Sequence, residues 1–231
     1  MKSQLYLTEA KRKHFKSEIS NFVEIYSQKL LPVFKDIEND AEKYTNDIYN
    51  NSMSQPVCDD SMDPGSIAET ATEEGIEHYS YLKLGKYNLT ATWHATLYQM
   101  WEQQARLFLF QEMSHTDKIE FEKFCDCLSK IKIKFKLYKV DIESLSCWPE
   151  INELRLLCNV IKHGEGESAK DLRKVKATLF KKEDGKNHVT IFKTTLLEET
   201  LNIDETTLNN YRDALLFFWD EIPERNYSDE L

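Results

Sequence analysis

Read by the spacing of its apolar side chains, the chain is a succession of helices. From about Thr8 to Asn50, Phe15, Ile19, Phe22, Val23, Tyr26, Leu30, Val33, Phe34, Ile37, Ala41, Tyr44 and Ile48 follow a helical rhythm, that of helix with one buried face. Pro32 falls inside this run and cannot donate to the helical ladder, which predicts a kink or break near Leu31. Residues 51–65, NSMSQPVCDDSMDPG, are polar and turn-rich and predict an exposed connector. A second helical region is expected to open at Ser66, with Glu69 in capping-box register, and to pause at residues 85–88. It resumes as LTATWHATLYQMWEQQARLFLFQEM, where Trp93, Leu97, Met100, Trp101, Leu107 and Phe108 predict a central helix packed on more than one side. His94 and Glu102 interrupt that apolar content, and a carboxylate at Glu102 must be solvated, paired or functional.

Residues 117–138 carry two patterns. KIKIKFKLYK alternates at strand period, whereas Phe121, Phe124, Leu128, Ile131, Phe135 and Tyr138 form one helical seam; because the seam spans the whole segment, it predicts helix. A further helix is expected between Pro149, suited to a first turn, and Gly164 and Gly166, suited to an exit. Its buried face comprises Ile151, Leu154, Leu157, Cys158 and Ile161. A polar helix follows from near Ser168, then a charged turn at 181–187 and a β-prone stretch, HVTIFKTTLL, at 188–197. Asp204 is placed to cap the last helix, which Pro223 stops. The fold class this implies is all-α, a single helical domain over 1–231 with one minor β element near 188–197.

Composition supports this class. Only 6 Gly and 5 Pro in 231 residues argue against a turn-rich all-β chain. The formal charge of −10 argues against indiscriminate nucleic-acid coating. Cys58, Cys125, Cys127, Cys147 and Cys158 are odd in number and lack paired zinc spacing, which fits reduced thiols and no metal cofactor. The opening residues have no apolar signal core, and the terminal SDEL resembles a retention tail only loosely. No apolar run approaches a membrane span, so the expected location is cytoplasmic, away from membranes. GEGES at 164–168 lacks the glycine–lysine arrangement of a phosphate cradle, and its two glutamates would repel phosphate.

One polar constellation stands out. Arg155, Asn159 and His163 lie four residues apart and advance by about 40° per step, which gathers a guanidinium, an amide and an imidazole onto one helical stripe. An imidazole titrates near neutrality and suits proton transfer at His163, and Arg155 offers charged donors to a phosphate oxyanion. Asn159 is placed to hold the phosphate or a 2′-hydroxyl. Together they suit metal-independent RNA cleavage by 2′-oxygen attack on the adjacent phosphorus. Lys162, Lys132 and Lys136 are the expected approach residues for RNA phosphates, with Glu102 in support. The alternative from the same residues is an exposed polar stripe with His163 capping the helix, Arg155 paired to Glu102 or Glu153, and the lysines as solvated surface. Arg155 and His163 stand about 12 Å apart along the axis, so a second copy of the helix would complete the site.

At these residues the sequence resembles the HEPN superfamily, helical domains of prokaryotic RNases in toxin–antitoxin and antiviral defence systems that also include non-catalytic relatives. The resemblance rests on ELRLLC at 153–158 followed by NVIKHG at 159–164, with WHATLYQMWEQQ at 93–104 similar to that family's central helix. It covers about 66–166 and extends to a closing helix at about 204–222. The N-terminal helices and the segment after Lys170 are elaborations. That family's motif is an arginine, usually followed by a polar residue such as asparagine, then a histidine after four to six intervening residues, and Asn159 and His163 map onto its polar residue and histidine. Cys158 occupies the arginine's place, and Arg155 precedes His163 by seven intervening residues, one more than the pattern allows. The resemblance implies a hydrolase, a cytoplasmic endoribonuclease that acts as a homodimer without cofactor and is held by an antitoxin or another protein partner. The alternative it implies is a non-cleaving interaction or RNA-binding module.

Overall fold

The computed structural model describes residues 4–54, 63–116, 118–183 and 185–228. Helix dominates, as the apolar spacing predicts. Thr8 caps helix α1 (Glu9–Ile25), whose buried face is Phe15, Ile19 and Val23. The break at Pro32 takes the form of one π-helical turn, Tyr26–Leu30, followed by a 3-10 turn, Leu31–Phe34. Helix α2 (Ile37–Ser54) then runs four residues beyond the expected boundary at Asn50, into the segment read as connector. Of that connector, residues 55–62, including Cys58, lie outside the described residues, as does the end of the SDEL tail at 229–231.

Two expectations for the next helix are corrected. Its cap is Asp63, which accepts from the Gly65 N–H, with Pro64 in the first turn, rather than Ser66. It also does not pause at 85–88: helix α3 (Pro64–Met113) is continuous for 50 residues, about 75 Å. Gly85 and Asn88 are absorbed because neighbouring chain supports them: Phe34 packs beside Gly85, and the Asn88 amide donates to the Leu196 carbonyl at 2.9 Å. The two ends of α3 have different surroundings. Residues from Tyr87 onward enter the main core, whereas the first part packs antiparallel against α2, which touches no other element comparably. That hairpin forms an arm with small residues at its seam: Ala41 and Ala71 are buried, and a Cβ at Gly75 would fall 1.8 Å from Thr45 Oγ1.

The segment after α3 is less helical than its seam implies. A 3-10 turn at Phe121–Lys123 leads through Cys125, which has φ of 47°, and only Leu128–Leu137 forms helix α4. Arg106 explains the interruption, because its guanidinium takes the carbonyls of Phe121 and Phe124, both at 2.6 Å, and draws them out of the ladder. Ile131, Phe135 and Tyr138 are buried as expected, but Phe121 stays exposed.

Helix α5 (Trp148–His163) keeps the predicted start and exit, followed by α6 (Glu167–Lys176). The minor β element lies earlier than expected. Strands β2 (Lys182–Glu183) and β3 (Lys186–Asn187) form a hairpin in the charged turn, while His188–Phe192 of the β-prone stretch is a short helix, α7, capped by Asn187. Asp204 caps α8 (Glu205–Glu221) through a reciprocal pair with Thr207, and β1 (Gln4–Tyr6) pairs antiparallel with β4 (Arg225–Tyr227).

The core lies where α1, α3, α4, α5 and α8 meet, with Trp101, Phe108, Phe135, Phe218 and Trp219 packed ring on ring. Two buried polar groups lock helices together. Gln104 on α3 accepts the Trp219 indole N–H and donates to the Phe15 carbonyl, each at 3.1 Å. His94 is fully buried, bonds the Thr90 carbonyl at 2.8 Å through Nδ1, and meets the Thr207 hydroxyl at 3.1 Å through Nε2. It therefore fastens the start of α8 to α3, and burial pushes its pKa down to about 4, which keeps it neutral. Among the described residues, no helix is long and apolar enough to cross a membrane.

Candidate functional site

Helix α5 owes its position to groups at both ends. The Glu221 carboxylate from α8 accepts the Ser146 and Cys147 N–H groups, at 3.1 and 3.2 Å, and closes the entry to α5. At the exit Gly164 has φ of 67°, its N–H reaches the Val160 carbonyl at 2.8 Å, and a Cβ there would meet the Lys193 carbonyl at 2.9 Å. Thr195 donates to the Ile161 carbonyl at 2.6 Å. Glycine is therefore required at 164 for both backbone conformation and close approach. Just beyond, Glu165 is clamped by Arg173 and by the Thr190 hydroxyl, and the Arg173 hydrogen bond holds its carboxyl below the usual range. Both glutamates of GEGES are engaged by side chains of α6, since Glu167 also accepts from Lys170.

The predicted stripe exists, but its members are separated by their own partners. Arg155 is half-buried and its Nε donates to Asn152 Oδ1 at 3.0 Å on the same helix. Glu102 and Glu153, its expected partners, are engaged elsewhere. Glu102 accepts the Tyr98 hydroxyl at 3.0 Å, and Glu153 accepts the Tyr211 hydroxyl at 2.6 Å with Lys176 at 3.8 Å. Arg155 still lies close enough to the Tyr98–Glu102 pair to act on it electrostatically. Burial and Glu102 push the Tyr98 pKa well up, and Arg155 opposes them. Asn159, also half-buried, donates to Ser168 Oγ at 3.3 Å, across the turn into α6. His163 is exposed on the last turn and, among the described residues, makes no hydrogen bond or ion pair. Tyr98 and Ser168 are additions that spacing did not single out, because one arrives from α3 and the other through the α5–α6 turn.

The lysines divide. Lys162 is exposed and acts on the Cys158 thiol one turn before it, whereas Lys193 meets Gly164 only through its backbone carbonyl and has its charge near Glu165. Lys132 lies over the Trp148 ring at 4.9 Å and bonds Glu143 at 2.7 Å, while Lys136 sits 3.7 Å from Asp141. Trp148 begins α5 and His163 ends it, so Lys132 is about 22 Å of helix axis from the imidazole. The α4 lysines are thus not gathered around His163 in one chain.

Cys158 is buried, donates weakly to the Ala95 carbonyl at 3.6 Å, and has its thiol pKa raised by burial, as suits a packing residue rather than a nucleophile. Cys125, Cys127, Cys147 and Cys158 are free, and no cluster of potential metal ligands occurs among the described residues. A separate cleft of 710 Å³ opens where the π-helical turn meets α3, lined by Tyr26, Phe34, Lys83, Lys86 and Glu199 among others; Arg155, Asn159 and His163 do not line it. No family model, no curated protein and no solved structure matches the chain.

Proposed function

We propose that the chain is a HEPN-like endoribonuclease that works without metal and is completed by a second copy of itself. The observation that carries the reading is His163. It is exposed at the end of α5, one turn from Asn159, and among the described residues its side chain makes no hydrogen bond or ion pair. In the reaction, the 2′-oxygen loses its proton and attacks phosphorus, and the P–O5′ bond breaks. One fragment ends in a 2′,3′-cyclic phosphate and the other in a 5′-hydroxyl that takes up a proton. His163 serves one of these proton transfers, and a second His163 across a two-fold axis serves the other. Arg155 and Asn159 neutralise and hold the phosphate once the ligand competes with Asn152 and Ser168 for them.

A second reading is a non-cleaving module whose partner is an antitoxin or another protein. Its support is the commitment of Arg155 to Asn152 and of Asn159 to Ser168. Incubation with total tRNA in a chelator separates the two. The nuclease reading expects cyclic-phosphate ends that fall about 100-fold or more in His163→Ala, fall in Arg155→Ala, and persist in Cys158→Ala. Cleavage that requires added metal, or equal cutting of DNA, would sink the mechanism. Absence of cleavage, with a protein partner held through the same surface, selects the second reading.

A further inference from the structure

The charge of this chain is not spread over it. Residues 37–82 contain eleven Asp and Glu against Lys43 alone, a formal −10 that equals the charge of the whole molecule; the chain's 40 acidic and 30 basic residues leave 29 of each outside that stretch. The described part of the stretch is the arm formed by α2 and the first third of α3. The rest of the molecule is balanced and extensively paired, as in Lys16–Asp220, Lys132–Glu143 and Arg173–Glu165. On the arm, among the described residues, no carboxylate takes part in an ion pair.

Like charges also stand in neighbouring positions along each helix. Glu38 and Glu42, Glu69 and Glu73, and Glu73 and Glu77 are each four residues apart, an arrangement that destabilises an isolated helix. The arm also lacks a substantial core to offset this repulsion, because its seam comprises the small residues Ala41, Ala71, Gly75 and Thr45 with one ring stack, Tyr44 on His78 at 4.2 Å, and neither Ala41 nor Ala71 joins the main cluster. Large apolar residues nevertheless remain on its surface. Ile76 is 62% exposed and Tyr81 is 67% exposed. Ile76 lies on the stripe of Glu69 and Glu73, seven and three residues before it. Tyr81 lies on that of Glu74 and Glu77, seven and four before it.

We infer that the arm is a docking surface for a basic amphipathic helix of a partner polypeptide. Ile76 and Tyr81 stand about 140° apart around α3 and flank the glutamates, so such a helix presents lysine or arginine to the glutamates at the centre of the contact and apolar side chains to Ile76 on one edge and Tyr81 on the other, and it relieves the like-charge repulsion that the free arm carries. The apolar residues decide the class of partner, since a polyamine or a metal ion would satisfy the carboxylates and leave Ile76 and Tyr81 in water. This surface is independent of His163 and stands whether or not the chain cleaves RNA.

The test uses the full chain and a fluorescent 18-residue peptide with lysine and leucine at helical spacing. The peptide should bind, and its affinity should fall by about tenfold or more between low and physiological salt. The variant with Glu69→Gln, Glu73→Gln, Glu74→Gln and Glu77→Gln should bind at least about tenfold more weakly while keeping its helical circular dichroism. Ile76→Ser with Tyr81→Ser should weaken binding several-fold while leaving the salt dependence unchanged. Equal binding by the four-glutamine variant overturns the proposal. So does spermine binding as tightly as the peptide, because the arm is then a mere polyanion. Concentration-dependent self-association that disappears in the four-glutamine variant overturns the choice of partner in favour of a second copy.

Discussion

Acidification should loosen this protein through one residue, His94. Its imidazole is fully buried between α3 and the start of α8, with Nδ1 on the Thr90 carbonyl and Nε2 on the Thr207 hydroxyl, and its pKa is pushed down to about 4. In the unfolded chain the same group titrates near its ordinary value of 6.5, so between these two values the unfolded state binds a proton that the folded state refuses. The contribution of neutral His94 is therefore complete above pH 6.5 and is lost as pH falls toward 4. The full loss is about 3 kcal/mol, and about 2 kcal/mol of it falls between pH 7 and pH 5. The perturbation is His94→Gln, which removes the titration and retains a polar side chain. Urea unfolding followed by tryptophan fluorescence at pH 7, 6 and 5 gives stability for both proteins. The wild type should lose about 2 kcal/mol more than the variant over that interval, although the variant starts lower at pH 7. Parallel curves for the two proteins would refute the assignment of His94 as a neutral buried lock.

Two further outcomes follow from packing. Gly75→Ala should destabilise the arm although alanine is the better helix former by about 1 kcal/mol, because its Cβ would fall 1.8 Å from Thr45 Oγ1. Amide exchange in α2 should quicken, and the cost should shrink in a Thr45→Ala background, which removes Oγ1 but keeps a Cβ 3.1 Å from the added one; a stabilised Gly75→Ala single variant would contradict the seam. Gln104→Leu should cost about 1–3 kcal/mol by leaving the buried Trp219 N–H without its acceptor, measured by urea unfolding at pH 7. Unchanged stability would show that the Gln104 bond contributes nothing.

Local physics made the helical class, the break at Pro32, the Pro149–Gly164 helix and the Asp204 cap legible in the sequence, because apolar periodicity, proline and capping side chains act within a turn or two of themselves. The gathering of Arg155, Asn159 and His163 on one stripe was legible for the same reason, since it depends only on the helical repeat. Contacts from distant chain decided the rest. Packing of Phe34 beside Gly85 accompanies a helix that glycine and asparagine locally disfavour, and Arg106 stopped a helix that its own apolar seam would have continued. Asn187 capped a short helix where β-branched residues favoured a strand. Within the candidate site, spacing placed Arg155 on the right face but left its partner open. Asn152, three residues earlier on α5, holds it, and Glu102 accepts Tyr98 within α3; only the Tyr211–Glu153 bond required α5 and α8 to be packed together.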